Sequence, residues 1–301
     1  MNICCFDIGG TSIKYGIVSN DGMILEKGNF LTPSSNCKKT IPEKLIEYTN
    51  EFKKEYKIKL IGISTAGYVD CEKGMVTYSL FIPGYNGCKI VELVEKGTGI
   101  ETLVENDANA AALGEMWVGA GKNHKNIACI TIGTGIGGAI ILNRKLYAGS
   151  HGFAGEMGEI RVSSVEKNIG TKATLHKCAS TRGLLDNYKK LTGNNISGIE
   201  LMKLVKNDDS SAVKTFNEFL NNLATGIITV AAILDTEAIV VGGGMSAQGD
   251  YVFKKLNKIF RDNVLPVYRD VNIVKAELEN DAGLLGACYI ALNKDYSFNF
   301  S

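Results

Sequence analysis

A glycine turn flanked by β-branched runs occurs twice in this chain, and no other feature narrows its fold as much. The first copy is Cys4-Cys5-Phe6-Asp7-Ile8-Gly9-Gly10-Thr11-Ser12-Ile13-Lys14, which resumes as Tyr15-Gly16-Ile17-Val18. The second is Cys129-Ile130-Thr131-Ile132-Gly133-Thr134-Gly135-Ile136-Gly137-Gly138-Ala139-Ile140-Ile141. Short apolar runs on either side of residues that tolerate positive φ read as strand, tight turn, strand. Two such hairpins predict two similar lobes, each presenting backbone N–H groups to one anion, and a polyphosphate fits that description.

Length agrees with two lobes, because 301 residues approach the limit for a single core. The chain is 45% hydrophobic and 22% charged with a formal net charge of +1. No long basic stripe occurs, so binding to nucleic acid by bulk electrostatics is not expected. No apolar stretch reaches the roughly 18 residues of a membrane span, and Met1-Asn2 leads straight into a strand without a signal peptide pattern. The eight cysteines form no CxxC pair and several sit in apolar runs, which points to free thiols in a reducing cytoplasm.

Along the chain, strands are expected at 2–7, 13–18 and 23–30, then an amphipathic helix at 40–57 with Thr40 as its N-cap. A buried strand at 59–64 ends in Thr65-Ala66-Gly67, and residues 68–79 read as a hairpin around Glu72-Lys73-Gly74. A helix at 89–96 and a strand at 101–105 lead to Asn106-Asp107 and a helix at 110–118. After the second glycine turn come a loop at 149–159, helices at 175–192, 197–206 and 212–234, and a strand at 238–241 closed by Gly242-Gly243-Gly244. A helix at 250–261, a strand at 272–275 and a helix at 283–293 complete the pattern. Alternation of strands and helices predicts an α/β fold.

Asp7 ends a buried strand, so its carboxylate faces the open end of a sheet, where ligands of α/β folds collect. With Gly9, Gly10, Thr11 and Lys14 following, it reads as a ligand, through water, for the magnesium of a bound nucleotide. The second turn carries no acid; Thr134 offers a hydroxyl, and Gly133 and Gly135 allow close approach of phosphate. Its GxGxxG-like spacing is followed by a strand rather than a helix, which argues against a dinucleotide fold. Asp107 is either the N-cap of the next helix or a general base, with Asn106 fixing the substrate. Glu156 and Glu159, on a glycine-rich segment, either hold sugar hydroxyls or are two solvated acids.

Taken together these motifs resemble the ROK family of the actin/hexokinase-like superfamily over nearly the whole chain. The two glycine turns are similar to that family's phosphate motifs. Glu105-Asn106-Asp107-Ala108-Asn109-Ala110-Ala111-Ala112 is similar to its sugar and catalytic-base motif, and Ala154-Gly155-Glu156-Met157-Gly158 to its sugar-binding segment. Val241-Gly242-Gly243-Gly244 resembles the adenosine motif and Asp281-Ala282-Gly283-Leu284-Leu285-Gly286-Ala287 the closing helix start. The resemblance implies a two-lobed, actin-like ATPase (ribonuclease H-like) fold with its active site in the interlobe cleft. Residues 1–108 are expected to form the N-terminal lobe, with a C-terminal helix at about 288–301 packing back on it, and 109–287 the C-terminal lobe. It implies an ATP- and magnesium-dependent sugar kinase, transferring the γ-phosphate to the 6-hydroxyl of a hexose. Asp107 is then the base. Asn106, Glu156, Ser64, Thr65, Gly67, Ser79 and Asn86 hold the sugar, and the glycine turns with Asp7, Lys14 and Gly242-Gly243-Gly244 hold the nucleotide. A homodimer is implied as well.

The chain departs from the family pattern around its zinc site. Glu159 stands where a zinc-binding His belongs, and 162–177 has no cysteine, so no structural zinc is expected. Aligning Ala179-Ser180 with the family's Ala-Ser puts His176 where a second sugar-binding Glu belongs. Glu159 and His176 are therefore expected to lie within hydrogen-bonding distance, about 3.2 Å, both facing the sugar. Ser64-Thr65-Ala66-Gly67 is similar to N-acetylmannosamine kinases and favours that acceptor. The zinc-less segment is similar to β-glucoside kinases, so glucose or a β-glucoside is the alternative. A ROK-type repressor would need a DNA-binding segment before Cys4, and an idle sugar sensor would not need Asp7 and Asp107.

Overall fold

A computed structural model describes residues 1–162, 174–246 and 249–298. Contacts divide the chain into two compact units. The first comprises Met1–Asn123, Ile140–Ala154 and Asn280–Ser301, the second His124–Ala139 and Gly155–Glu279.

The first unit is built on a five-stranded sheet. Strands β1 (Asn2–Ile8), β2 (Ser12–Ser19), β3 (Ile24–Leu31), β4 (Ile58–Thr65) and β7 (Thr102–Asn106) take the order β3-β2-β1-β4-β7. β1 is antiparallel to β2 across the first glycine turn and parallel to β4, which is parallel to β7. That arrangement brings the C-terminal ends of β1, β4 and β7 to one edge, so Asp7, Ser64 and Glu105 occupy one row of the ladder. β5 (Tyr68–Asp70) and β6 (Met75–Tyr78) form a small hairpin beside it.

Helix α1 (Cys37–Phe52) buries Ile41, Leu45, Thr49 and Phe52, one face at helical spacing. Its Tyr48 stacks on Tyr15 (4.4 Å) and on Phe30 (4.9 Å), fastening the helix to β2 and β3. The expected start at Thr40 is incorrect. The helix begins three residues earlier, after Asn36 in the left-handed region (φ 51°), and the Thr40 hydroxyl donates to the Ser35 and Asn36 carbonyls (3.3 and 3.2 Å) instead of capping. α2 (Ile90–Thr98) follows, and α3 (Asp107–Val118) begins directly where β7 ends.

α9 (Ala282–Leu292) is buried almost all round and packs on α3, β1 and β4. Glycines permit that closeness. A β-carbon on Gly114 would lie 2.6 Å from the Ala282 carbonyl oxygen, and one on Gly286 would overlap the Ala110 carbonyl. This packing keeps 109–123 in the first unit, where the sequence led us to expect a boundary at 108. Residues 140–154 also belong there, since β10 (Lys145–Tyr147) pairs with the end of β9 (Ile136–Leu142) and with β13 (Ser297–Phe298).

In the second unit β8 (Ile127–Ile132) and β12 (Asn272–Lys275) flank β11 (Ala238–Gly242) in parallel, and β8 turns into β9 through the second glycine segment. α4 (Leu175–Ala179), α5 (Thr181–Thr192), α6 (Gly198–Lys206) and α8 (Asp250–Asn263) pack on the long α7 (Ser210–Leu234), and α8 also on β12. The helix expected at 175–192 is two helices, because Ser180 is extended and its hydroxyl accepts from Gly183 N (3.0 Å), starting α5 afresh. Among the described residues no helix is long and apolar enough to cross a membrane.

Candidate active site

Asn106 and Asp107 divide two tasks that the sequence could have given to either. Asn106 is the N-cap of α3; its side-chain oxygen accepts from Ala108 N (2.9 Å) and Asn109 N (3.2 Å). Asp107, the first helical residue, is thereby released from capping. Its carboxylate accepts from Ala108 N (2.9 Å) and from the Asn106 amide (3.0 Å). Burial, and after it the charge of Asp7, push the Asp107 carboxyl up to about 7. A half-buried carboxyl poised there can take a proton near neutrality.

The Asn106 amide also donates to the Gly67 carbonyl (2.9 Å), joining the end of β4 to the end of β7. Gly67 has φ +119° and lies against Tyr78 and Ser79, a position no side chain could occupy. Ser79 N donates to Asn86 Oδ1 (2.8 Å), while the buried Ser79 hydroxyl has no partner. Asp7 accepts from Lys14 Nζ (3.0 Å) and from the Ser64 hydroxyl (2.8 Å), and Lys14 also donates to the Asn280 carbonyl (2.9 Å). Ser64 and Thr65 are fully buried, and Thr65 Oγ1 lies 3.5 Å from Tyr85 Oη. Both hydroxyls thus have partners within the protein. The first turn is held by Gly9 N donating to Ser12 O (3.0 Å) and by the Thr32 hydroxyl donating to Gly9 O (2.7 Å). Thr11 is exposed and Gly10 backs onto Phe81.

Glu105 has a role that its sequence motif does not reveal. It is 5% exposed. Oε1 accepts from Asn106 N (2.8 Å) and Asn109 Nδ2 (3.0 Å), and Oε2 from Tyr296 Oη (2.9 Å) and the Cys71 thiol (3.3 Å). An acid at a strand end before Asn-Asp is the signal that could have found it; nothing in the sequence pointed to Tyr296. Glu105→Gln weakens these charge-assisted bonds, and chemical denaturation is expected to show a loss of about 2 kcal/mol.

In the second unit the glycine segment is closed by Gly133 N donating to Gly135 O (2.9 Å), and Thr181 N donates to Gly133 O (3.0 Å). Thr134 is exposed at its tip. His176 Nδ1 accepts from Ile136 N (2.8 Å), so the imidazole braces this turn, and burial lowers its pKa. Its Nε2 lies 3.7 Å from Glu159 Oε1. The two expected partners are neighbours, but their separation exceeds the hydrogen-bonding distance expected for them; His176 is already committed through Nδ1 to the backbone. Partial desolvation, then the charge of Glu159, raise the Glu156 carboxyl. Gly243, with φ +88°, packs on the Ile132 carbonyl, and Gly242 and Gly244 flank it at the end of β11. The expectation of no zinc concerns a segment of which 163–173 lies outside the described residues.

An α/β chain with two glycine turns, a carboxylate at the end of β1 and another at the start of α3 has the actin-like ATPase fold. The chain belongs to the ROK family, whose profile matches residues 3–294. It is similar to a glucokinase from Thermotoga maritima, 31% identical over 94% of this chain and 95% of that protein. It is also similar to a β-glucoside kinase from Listeria monocytogenes, 31% identical over 98% of this chain and 99% of the other. Among solved structures it resembles a ROK family glucokinase from Streptomyces griseus in complex with glucose and AMPPNP. That match has a TM-score of 0.82 and 31% identity, covering 97% of this chain and 99% of the other.

Proposed function

We propose that this chain is an ATP-dependent sugar kinase that transfers the γ-phosphate to the 6-hydroxyl of a hexose. The observation that carries this is Asp107, a carboxyl raised to about 7 and held by an asparagine that takes over the helix cap. The relatives' activities and the glucose and AMPPNP bound in the Streptomyces griseus structure support it.

In this reading Asn106 and Asp107 hold the acceptor, and Asp107 takes the hydroxyl proton as the oxygen attacks. Backbone N–H groups of Gly9, Gly10, Thr11 and of Gly133, Thr134 and Gly135 receive phosphate oxygens, while Gly242, Gly243 and Gly244 leave room for the adenosine. Glu156, Glu159 and His176 contribute sugar contacts. Asp7 is the residue that would hold magnesium through water, since its carboxylate keeps a small exposed face; the adjacent Lys14 suits a phosphate. Magnesium, when bound with ATP, neutralises charge on the phosphates.

Glucose or a β-glucoside is the acceptor we propose. The N-acetylmannosamine expectation rested on the likeness of Ser64-Thr65-Ala66-Gly67 to a motif of those kinases; here the Ser64 and Thr65 hydroxyls meet Asp7 and Tyr85. The relatives named glucokinase and β-glucoside kinase support the gluco-configured sugars. A coupled ADP-release assay with glucose, cellobiose, N-acetylmannosamine, N-acetylglucosamine and fructose tests the reading. Strongest turnover on N-acetylmannosamine would overturn the acceptor, and silence on every sugar would favour a sensor. The resemblance also implies a homodimer, which light scattering at micromolar concentration checks.

A pH profile follows from the same carboxyl. Protonated Asp107 cannot accept the hydroxyl proton, so kcat/KM is expected to climb with pH and level off above about 7. A limb with its midpoint near 4 would show a solvated carboxylate instead.

A further inference from the structure

The second glycine turn is fastened from outside by one short stretch of chain, and both lie in the second unit. Thr181 N donates to Gly133 O (3.0 Å), and Ile136 N, the first amide beyond the turn, donates to His176 Nδ1 (2.8 Å). The same stretch is tied to the segment that carries Glu156 and Glu159. Leu175 N donates to Ile160 O (2.8 Å), and α4 packs on the single helical turn Met157–Glu159. His176 stands where the two meet. A β-carbon on Gly158 would collide with His176 Nε2 and lie 2.6 Å from the Ile136 carbonyl oxygen, and one on Gly135 would lie 3.1 Å from Nδ1. Two glycines leave room for one imidazole between the turns. A ring nitrogen that accepts carries no proton, so Nδ1 is bare, Nε2 holds the hydrogen and the ring is neutral. Burial, which lowers the His176 pKa, favours that form. Nε2 faces Glu159 Oε1 at 3.7 Å, about 0.5 Å beyond hydrogen-bonding range.

We infer that His176 is a positioning residue that couples these two turns, so that an acceptor sugar held at Glu156 and Glu159 tightens the grip of Gly133, Thr134 and Gly135 on the nucleotide phosphates. The inference rests on the proposed sugar-kinase reading and adds to it a cooperation between the two substrates. An imidazole is a rigid plane, so a displacement of Gly158 or Glu159 against its Nε2 edge is delivered to Ile136 N at its Nδ1 edge. With Glu159 drawn within range of the Nε2 hydrogen, the ring is fixed at both nitrogens; otherwise it is fixed at one. Acceptor contacts that order Glu156 and Glu159 favour the first arrangement. A phosphate arriving at a turn already held loses less ordering free energy. Linkage makes the effect reciprocal, and nucleotide on the turn raises sugar affinity by the same factor.

The test is calorimetry of AMPPNP–Mg²⁺ binding to the full chain with and without saturating glucose, at about pH 8, where an imidazole is neutral. In the wild type glucose is expected to lower the Kd of AMPPNP about tenfold. His176→Asn sets its side-chain oxygen near the place of Nδ1 and keeps an acceptor for Ile136 N, so the coupling stays within about twofold of the wild type. His176→Gln reaches the place of Nε2 instead and leaves Ile136 N unpaired. There the coupling disappears and KM for ATP rises about tenfold, while kcat falls no more than about threefold. The two variants differ by one methylene, so a general loss of stability moves both alike and only the acceptor separates them. Exchange of the Ile136 amide gives a second readout, slowed by glucose in the wild type and His176→Asn but not in His176→Gln. Equal coupling in the two variants, or no effect of glucose on AMPPNP affinity in a wild type that phosphorylates glucose, overturns the role of His176 and leaves the kinase reading standing. Failure of the wild type to phosphorylate glucose overturns the acceptor reading, and the coupling with it.

Discussion

Asp107→Asn is expected to lower kcat by about 10³-fold while changing sugar affinity, measured by calorimetry, only a few-fold. The substitution spares the fold. An asparagine oxygen can still accept from Ala108 N and from the Asn106 amide, and the cap of α3 belongs to Asn106. What disappears is the carboxylate proposed to take the acceptor proton. Near-normal turnover in this variant would refute the assignment of the base. Stability supplies an independent check with a defined sign. The folded protein holds the Asp107 proton to about 7, whereas the model value for an unperturbed Asp is 3.8. The unfolded chain therefore releases that proton first, and the wild type loses stability as pH rises from about 4 to about 7. Asp107→Asn escapes this loss, so the Tm difference between variant and wild type should grow in the variant's favour across that window.

Gly286→Ala is expected to be the most damaging small substitution in the molecule. The added carbon would overlap the backbone carbonyl of Ala110, which cannot rotate away as a side chain could. α9 or α3 must shift, at a cost of about 3 kcal/mol or more. Because α3 starts at Asp107, the same shift displaces the proposed base, and kcat should fall in the fraction that remains folded. Gly198→Ala is the control. Gly198 opens α6 with only Thr181 Cγ2 near the new carbon, at 3.7 Å, and alanine there is expected to be neutral or slightly stabilising. Denaturant midpoints for the two variants decide the matter. Similar values would mean that the α3–α9 contact relaxes freely.

Local patterns were legible in the sequence where one face or one turn decides them. The strand at 272–275 and the hairpin at the first glycine turn could be read from alternation and glycine alone. Thr40 misled because a threonine inside the first helical turn looks the same on paper as one at its cap. The Asn106–Asp107 pair was ambiguous for a related reason: both residues cap helices well, and only the backbone geometry shows which one does. The internal partners of Ser64 and Thr65, Asp7 and Tyr85, were not legible, since nothing in a sequence tells which side chain a strand-end hydroxyl meets. The boundary at 108 was hidden in long-range packing. α9 follows α3 by more than 160 residues, and no local signal announces that they meet. Tyr296 reaches Glu105 across a still larger separation.

The first unit is stitched from three separated stretches, and this fixes an order of events during synthesis. By the time His124–Ala139 and Gly155–Glu279 have emerged, the second unit has all its described strands and helices. The first unit, although begun earlier, still lacks α9, which covers β1, β4 and α3. Domains generally fold as units while the chain is made. Here the N-terminal sheet must wait, with the surface around Cys5, Gly62 and Ala110 uncovered, until residues 282–292 arrive. A ribosome stalled before them would display a finished second unit beside a first that chaperones and proteases can still grip.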